Sequence, residues 1–174
     1  IHCIPFLTDI GIDPLRAAGM MALYVGASVP ARFLGGLIAD RVSKGHLRFI
    51  KGGSYLLQSV GIAIFLLNQT EAMIYVWFIL YGVGMGAAMP ITGLMRARYF
   101  GRKAFGSVQG ISSALTTPIG IAAPIYVGWI YDTSGSYIFA FILLAILIGV
   151  AGVVSFFILP PKPPAKITDI RHIV

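Results

Sequence analysis

Long uncharged segments alternate with short charged clusters along this chain. Four segments lack any charged residue: 52 to 70, 72 to 95, 104 to 131 and 133 to 161. A fifth segment, 17 to 39, contains a single charge, Arg32. Each is close to or longer than the roughly 20 residues that a helix needs to cross a bilayer. The pattern therefore predicts an all-α membrane protein with five complete spans.

The helix boundaries are predicted from the charged clusters and turns. Residues 1 to 8 match the end of an earlier helix, because they are too few and too apolar for an independent element or a signal peptide. Complete helices are expected near 14–40, 50–68, 72–96, 104–131 and 137–159. These form a half-bundle over 1–159, followed by a proline-rich, basic tail at 160–174. The chain is interpreted as the C-terminal part of a longer protein.

Composition excludes a water-soluble domain and points away from nucleic acid. Hydrophobic residues make up 57% of the chain and charged residues 11%, against roughly 25% charged in soluble domains. The net charge of +7 does not lie on one stripe. The bases cluster in two loops and the tail: Arg41, Lys44, Arg48 and Lys51; Arg96, Arg98, Arg102 and Lys103; Lys162, Lys166 and Arg171.

These three basic segments face one side of the membrane if each uncharged run spans once. The positive-inside rule makes that side cytoplasmic. The opposite side receives Asp9, Asp13, Arg16, Glu71 and Asp132. The prediction is a multi-pass protein of the lipid bilayer, in the cell (inner) membrane, with a cytoplasmic tail.

Aromatic residues collect near the predicted helix ends, where an interfacial belt is expected. On the outer side they are Tyr75, Trp77, Phe78, Tyr126, Trp129, Tyr131 and Tyr137, and on the inner side Tyr99, Phe100 and Phe105. The sequence predicts that these rings lie at the membrane surface.

Residues for covalent chemistry are scarce. His2, His46 and His172 are far apart, and Cys3 is the single cysteine. No metal site, catalytic base, cofactor or disulfide framework is supported. The prediction is that the protein is not an enzyme.

Glycine and proline interrupt several spans. The main positions are Gly86, Pro90, Gly120, Pro124 and Gly128. Inside lipid, freed backbone groups must be satisfied by neighbouring helices or a water-filled cavity, which favours a protein-lined pathway. The spacing of Gly120, Pro124 and Gly128 also places a small face on one side for close helix contact. Packing alone explains each residue about equally well.

Two stretches carry a family resemblance. The first reads RFLGGLIADRVSKGHLR and contains Gly36, Asp40 and Arg41 in the order of a loop signature. The second reads YFGRKAFGSVQG and is followed by Pro124 and Gly128. In this order and spacing they resemble the C-terminal half of major facilitator superfamily transporters. The first departs from the pattern after Arg41, where Ser43, Lys44 and Gly45 stand in place of glycine and two bases.

The resemblance implies a fold and a mechanism. It implies a twelve-helix secondary transporter whose two six-helix halves rock around a central site, with this chain running from the end of helix 7 to helix 12. Gly36, Asp40 and Arg41 would form a conformational latch at the inner end, with the missing N-terminal half as its natural partner. A basic loop that only fixes topology also explains Arg41 and Lys44.

Arg32 is the candidate for contact with a substrate. It lies eight residues before Asp40, so about 12 Å inside the helix end. Holding it there costs about 2.5 to 3.5 kcal/mol unless it faces a partner or a cavity. Its planar fork suits a carboxylate. A gating or structural hydrogen bond, or snorkelling to the lipid surface, is an alternative explanation.

This arginine resembles that of monocarboxylate and oxalate/formate carriers in the same superfamily. Monocarboxylate carriers pair it with an Asp one turn earlier, where this chain has Ser28. Oxalate/formate exchangers add a lysine in the eleventh helix, and residues 104–131 contain none. Proton coupling by that pair and a dicarboxylate held between two cations are therefore not implied.

Other polar residues in the spans are candidates for lining a pathway. They are Gln58, Thr92, Gln109, Ser112, Ser113, Thr116 and Thr117. Gln109, Ser113 and Thr116 recur at helical steps, so one face of their helix is polar. Interhelical hydrogen bonding explains them nearly as well as substrate contact.

The sequence thus predicts a secondary transporter of small organic anions such as monocarboxylates, working by alternating access. An exporter of hydrophobic compounds is the alternative within the superfamily, although it would more naturally carry an acid inside the membrane. A non-transporting membrane subunit is a further alternative, and such a subunit would not need Arg32.

Overall fold

The structure is a computed structural model that describes residues 3–161, and within that range it consists of helices and connecting turns. A long helical stretch, Glu71–Ser134, is broken at Gly101 into two spans. A 3₁₀ turn at Lys44–His46 precedes the third helix. The helices are α1 (Cys3–Asp9), α2 (Pro14–Arg41), α3 (Leu47–Leu67), α4 (Glu71–Gly101), α5 (Lys103–Ser134) and α6 (Ile138–Phe157).

Five of these helices, α2 to α6, are long and apolar enough to cross a membrane. The prediction of an all-α membrane protein is therefore confirmed. The observed bounds differ from the predicted ones by a few residues, most at the end of α4, which continues to Gly101 rather than to 96. The proposed tail lies outside the described residues from 162 onward.

Local signals explain where the helices begin and end. Asp13 caps α2, because its carboxylate accepts hydrogen bonds from the N–H groups of Leu15 (2.9 Å) and Arg16 (3.4 Å), and Pro14 occupies the first turn. Gly135 ends α5 in the left-handed conformation (φ 67°). Gly101 separates α4 from α5 with φ 77° and ψ 168°, a combination essentially restricted to glycine.

The centre of the bundle is α4, with α2 and α3 packed on two of its sides and α6 packed on α3. Glycines on α4 make these close approaches. A methyl group added at Gly82 would lie 2.6 Å from the Tyr24 carbonyl oxygen on α2, and one at Gly84 would lie 2.5 Å from the Ser54 carbonyl oxygen on α3. Small residues at alternate positions therefore let one helix pack tightly against two neighbours.

Aromatic rings form a core near the start of α4. Phe65 stacks on Trp77 with ring centroids 4.5 Å apart, and Phe6 meets Phe65 edge-on at 5.3 Å. Trp77 and Phe78 are only 4% and 3% exposed. The rings predicted for an interfacial belt therefore differ in exposure: Trp77, Phe78 and Tyr137 are buried, whereas Trp129 is 59% exposed.

The helix ends fall into two groups. At the basic end, which holds Arg41, Lys44 and Arg98, the Tyr99 hydroxyl donates to the Lys44 carbonyl at 3.2 Å. At the acidic end, which holds Asp9, Asp13, Glu71 and Asp132, Arg16 lies 3.7 Å from Glu71. This grouping is the one that five single crossings require.

The α5 helix is held mainly near its two ends. At one end the Arg96 guanidinium of α4 donates to the Gln109 side chain. At the other, the Tyr131 ring stacks on Tyr137, with ring centroids 4.3 Å apart. Every residue from 113 to 123 is exposed. The middle of α5 thus leaves a long face that the described part of the chain does not cover.

Candidate functional site

Arg32 lies in the second half of α2 and its side chain is exposed. Among residues 3–161, no hydrogen-bond acceptor or carboxylate lies within bonding distance of its guanidinium. A charged group inside a membrane-length helix normally has a partner, a cavity or a function. The described part of the chain supplies no such partner.

The residues around Arg32 on α2 are occupied with their own contacts. Ser28, one turn earlier, is 6% exposed, and its hydroxyl donates to the Val25 carbonyl at 2.8 Å. Tyr24, one turn further, donates its hydroxyl to the Met85 sulfur of α4. Both hydroxyl groups therefore have partners other than Arg32.

The proposed latch residues lie at the basic end, and they meet a partner from α4. Arg98 lies 3.8 Å from the Asp40 carboxylate, and it also donates to the carbonyl oxygens of Asp40 at 3.1 Å and Val42 at 2.6 Å. The Asp40 side chain is 71% exposed, so the ion pair itself is worth at most about 1 kcal/mol. The two carbonyl bonds do more, because they cap the negative end of α2 with a cation.

Gly36 and Arg41 have different surroundings. Gly36 faces Pro90 of α4, where an added methyl group would make an ordinary contact at 3.9 Å. Arg41 is exposed, with no ion pair or hydrogen bond inside residues 3–161. Gly36 and Asp40 thus contact α4, whereas the Arg41 side chain is exposed and available to a further partner.

Replacing Arg98 should cost more stability than replacing Asp40. Arg98→Gln removes two charge-assisted carbonyl bonds, an expected loss of about 1.5 to 3 kcal/mol, whereas Asp40→Asn removes an exposed ion pair and leaves both bonds intact. Thermal unfolding of the detergent-solubilised full-length protein measures both variants. A larger drop in Asp40→Asn would show that the carboxylate, and not the capped carbonyl groups, holds the two helices together.

The polar residues of α5 form a chain of hydrogen bonds at the basic end. Gln109 accepts from Arg96 and donates to the Ser113 hydroxyl at 3.3 Å. The Thr116 hydroxyl donates to the Ser112 carbonyl of its own helix at 2.9 Å. The structure brings Gln109 and Ser113 together with Arg96, but none of them is within hydrogen-bond distance of Arg32.

The glycines and prolines singled out from the sequence have different environments. A methyl group at Gly86 would meet the Ser28 carbonyl oxygen of α2 at less than a normal contact distance. Gly120 has no atom of another helix within reach of an added methyl group, so the close contact expected there is not found in the described residues. Pro124 and Gly128 are half-buried, and Pro124 lines a cavity together with Gly120.

Sequence reasoning did not single out Arg96 and Arg98 as partners of named residues. Both were counted only as bases that fix the membrane side. The signal was present, since an Asp at a helix C-terminus needs a nearby cation and the α4 bases lie on the same side. Gln58, a candidate for lining, is buried and donates to the Ser54 carbonyl at 3.1 Å.

Metal-binding chemistry has no support in the described helices. Residues 3–161 contain no group of three or more His, Cys, Asp or Glu side chains that could hold a metal ion. The described residues offer an unpaired arginine inside a span, Arg32, together with an arginine-capped helix end and a long uncovered face on α5.

Comparison with known proteins identifies the family. A family model described as Major Facilitator Superfamily matches residues 3–172. The chain belongs to the Major Facilitator Superfamily. Its membership agrees with the five spans and with the latch signature at the basic end of α2.

Several Major Facilitator relatives are transporters. An uncharacterized transporter, YycB of Bacillus subtilis, is 27% identical over 84% of this chain. Monocarboxylate transporter 13 of Rattus norvegicus is 24% identical over 88%, and the probable sulfoacetate transporter SauU of Cupriavidus necator is 26% identical over 93%. The chain spans between 36% and 40% of the length of these three relatives.

Proposed function

We propose that this chain is the C-terminal half of a carrier that moves small organic anions, such as monocarboxylates, across a membrane by alternating access. Arg32 would bind or gate the anion, and the other half of the same protein would complete the site. The membrane would be the cell (inner) membrane, with the basic end on the cytoplasmic side.

The unpaired guanidinium of Arg32 carries this proposal. A membrane-embedded arginine without a protein partner costs several kcal/mol, and a carboxylate that docks against its planar fork offsets that cost with two parallel charge-assisted hydrogen bonds. Arg32 is exposed and has no acceptor within residues 3–161. An anion is therefore the ligand that best complements it.

The names of two relatives support an anionic substrate. One is a monocarboxylate transporter and another a probable sulfoacetate transporter, and both names denote organic anions. Ser28 beside Arg32 cannot carry a proton as a carboxylic acid would, so coupling to protons through that pair is not part of the proposal. The spans also contain no acidic residue away from their ends.

The packing supports a rocking mechanism. The close approach of Gly82 and Gly86 to α2 makes α2 and α4 one rigid unit, while α5 is held mainly near its ends. The uncovered part of α5 at 113–117 would meet the missing half, where Ser113 and Thr116 could also line the pathway. The clamp of Arg98 on Asp40 would keep α2 and α4 together while Arg41 engages the other half.

An exporter of hydrophobic compounds is the second candidate. An apolar cavity of about 520 Å³ beside α5 favours it. Such an exporter would not depend on the charge at Arg32, which separates the two functions experimentally.

Uptake of labelled lactate, pyruvate, formate and oxalate into proteoliposomes containing the full-length protein tests the proposal. We expect uptake of at least one monocarboxylate by the wild type and its loss in Arg32→Gln. Arg16→Gln is the matched control, because Arg16 is an exposed arginine at the acidic end of the same helix. If none of the acids enters, or if Arg32→Gln transports as well as the control, the anion proposal fails.

A further inference from the structure

A cavity of about 520 Å³ lies toward the acidic end, between α2, α4, α5 and α6. Its size falls within the range typical of ligand pockets, roughly 300 to 1,000 Å³. Its walls are almost entirely aromatic and aliphatic and include Met21, Tyr24, Trp77, Tyr81, Pro124 and Phe141. A wall of this kind accepts an apolar group far better than a charged one.

One group in this wall has an unmet hydrogen bond. The Trp77 side chain is 4% exposed, and its indole N–H has no acceptor among residues 3–161. A buried donor left unpaired costs about 1 to 3 kcal/mol. The rings on either side of Trp77, Phe65 at 4.5 Å and Phe78 at 4.7 Å, cannot accept as a carbonyl or hydroxyl would. The wall is therefore largely apolar, and it contains a buried indole N–H without an acceptor in the described residues.

Tyr24 connects this cavity with Arg32. Tyr24 lines the cavity, and it lies on the same helix as Arg32. The two residues are two turns apart on α2, a rise of about 12 Å. Helical side chains lean toward the helix N-terminus, so the Arg32 side chain is directed toward the acidic end, where the cavity lies. A single elongated ligand can place a carboxylate at Arg32 and an apolar end in the cavity.

We infer that the cavity receives the apolar tail of the anion that Arg32 binds, so that the carrier prefers monocarboxylates with an aromatic or long aliphatic tail to lactate. This inference rests on the proposed function and adds to it the chemical class of the substrate. The carboxylate would supply the negatively charged partner that Arg32 lacks. Burial of the tail would add affinity in proportion to the apolar area removed from water.

A pair of neighbouring alanines on α5 provides the test. Ala123 lines the cavity, and Ala122 does not, although both are exposed on the same helix. Ala123→Phe fills space in the cavity, while Ala122→Phe adds the same bulk on another face. Uptake of 4-phenylbutyrate and of lactate is measured in proteoliposomes with the full-length protein for the wild type and both variants.

We expect wild-type protein to take up 4-phenylbutyrate in preference to lactate. Ala123→Phe should lower 4-phenylbutyrate uptake at least about tenfold relative to Ala122→Phe, because the lost burial of about two methylene groups already amounts to that factor. Lactate uptake should be the same in both variants, because lactate is too short to reach the cavity from Arg32.

Two results would overturn the inference while leaving the anion carrier intact. One is lactate transport with no preference for 4-phenylbutyrate in the wild type. The other is an equal effect of Ala123→Phe on both acids, which is expected if a membrane lipid chain occupies the cavity. If neither acid enters the vesicles, the proposed function and this inference fail together.

Discussion

Alanine in place of Gly86 is expected to separate α2 from α4 and to destabilise the protein by about 3 kcal/mol, the upper end of typical overpacking costs. The added methyl group would meet the Ser28 carbonyl oxygen, and it would also lie 3.0 Å from the Ala31 side chain. A backbone carbonyl inside a helix cannot rotate away as a flexible side chain can. The two helices must therefore move apart, which also displaces Arg32, one turn beyond Ser28.

Gly93 provides the matched control for this prediction. It lies on the same helix, and an added methyl group there meets nothing within 4 Å. Since alanine is favoured over glycine inside a helix by roughly 0.5 to 1 kcal/mol, Gly93→Ala should leave the thermal midpoint of the detergent-solubilised full-length protein unchanged or raise it. Equal midpoints for the two variants would contradict the tight α2 and α4 contact.

Loss of the charge at Arg32 is expected to remove the preference for a carboxylate over its neutral amide. Truncating one partner of a hydrogen-bonded charge pair costs about 2 to 5 kcal/mol, which corresponds to at least about a 30-fold change in relative uptake. Arg32→Lys should retain part of the preference, because lysine keeps the charge but lacks the planar fork that matches a carboxylate. Arg32→Gln should retain almost none.

The fold was predictable from the sequence because a charged residue inside the bilayer is costly, so charged residues cluster between the spans. Four uncharged runs and a fifth interrupted only by Arg32 predicted all five spans. The end of α4 was harder to place. Its last two turns contain Arg96 and Arg98, and these charges were interpreted as loop residues. The break comes instead at Gly101, where the backbone has a positive φ of 77°.

Side-chain partners were less predictable than helices. The distance of Trp77 from a helix end predicted an interfacial ring, but that distance does not say which face of the helix the ring occupies, and the structure buries it against Phe65. In the same way, Gly86 was predicted to interrupt its span, while the structure places it in close contact with α2. Such assignments require the relative rotation of neighbouring helices.

Of the candidate site, the sequence predicted Arg32 but not the contacts of the residues around it. Arg32 stood out because a single charge interrupts an apolar span, and the structure leaves it unpaired among residues 3–161. The partner of Asp40 was expected in the other half, whereas Arg98 of α4 contacts it here. The roles of Gln109, Ser113 and Thr116 in substrate contact stay a prediction, because no described residue covers the exposed middle of α5.

The ratio of lactate to lactamide uptake tests most directly whether Arg32 binds the negative charge of the substrate. Uptake is measured with the full-length protein in proteoliposomes and corrected for uptake by protein-free vesicles. We expect a high ratio in the wild type, an intermediate ratio in Arg32→Lys and a ratio near one in Arg32→Gln, with Arg16→Gln like the wild type. A ratio that is the same in the wild type and in Arg32→Gln would contradict this expectation, because the charge of the substrate would then be recognised elsewhere or not at all.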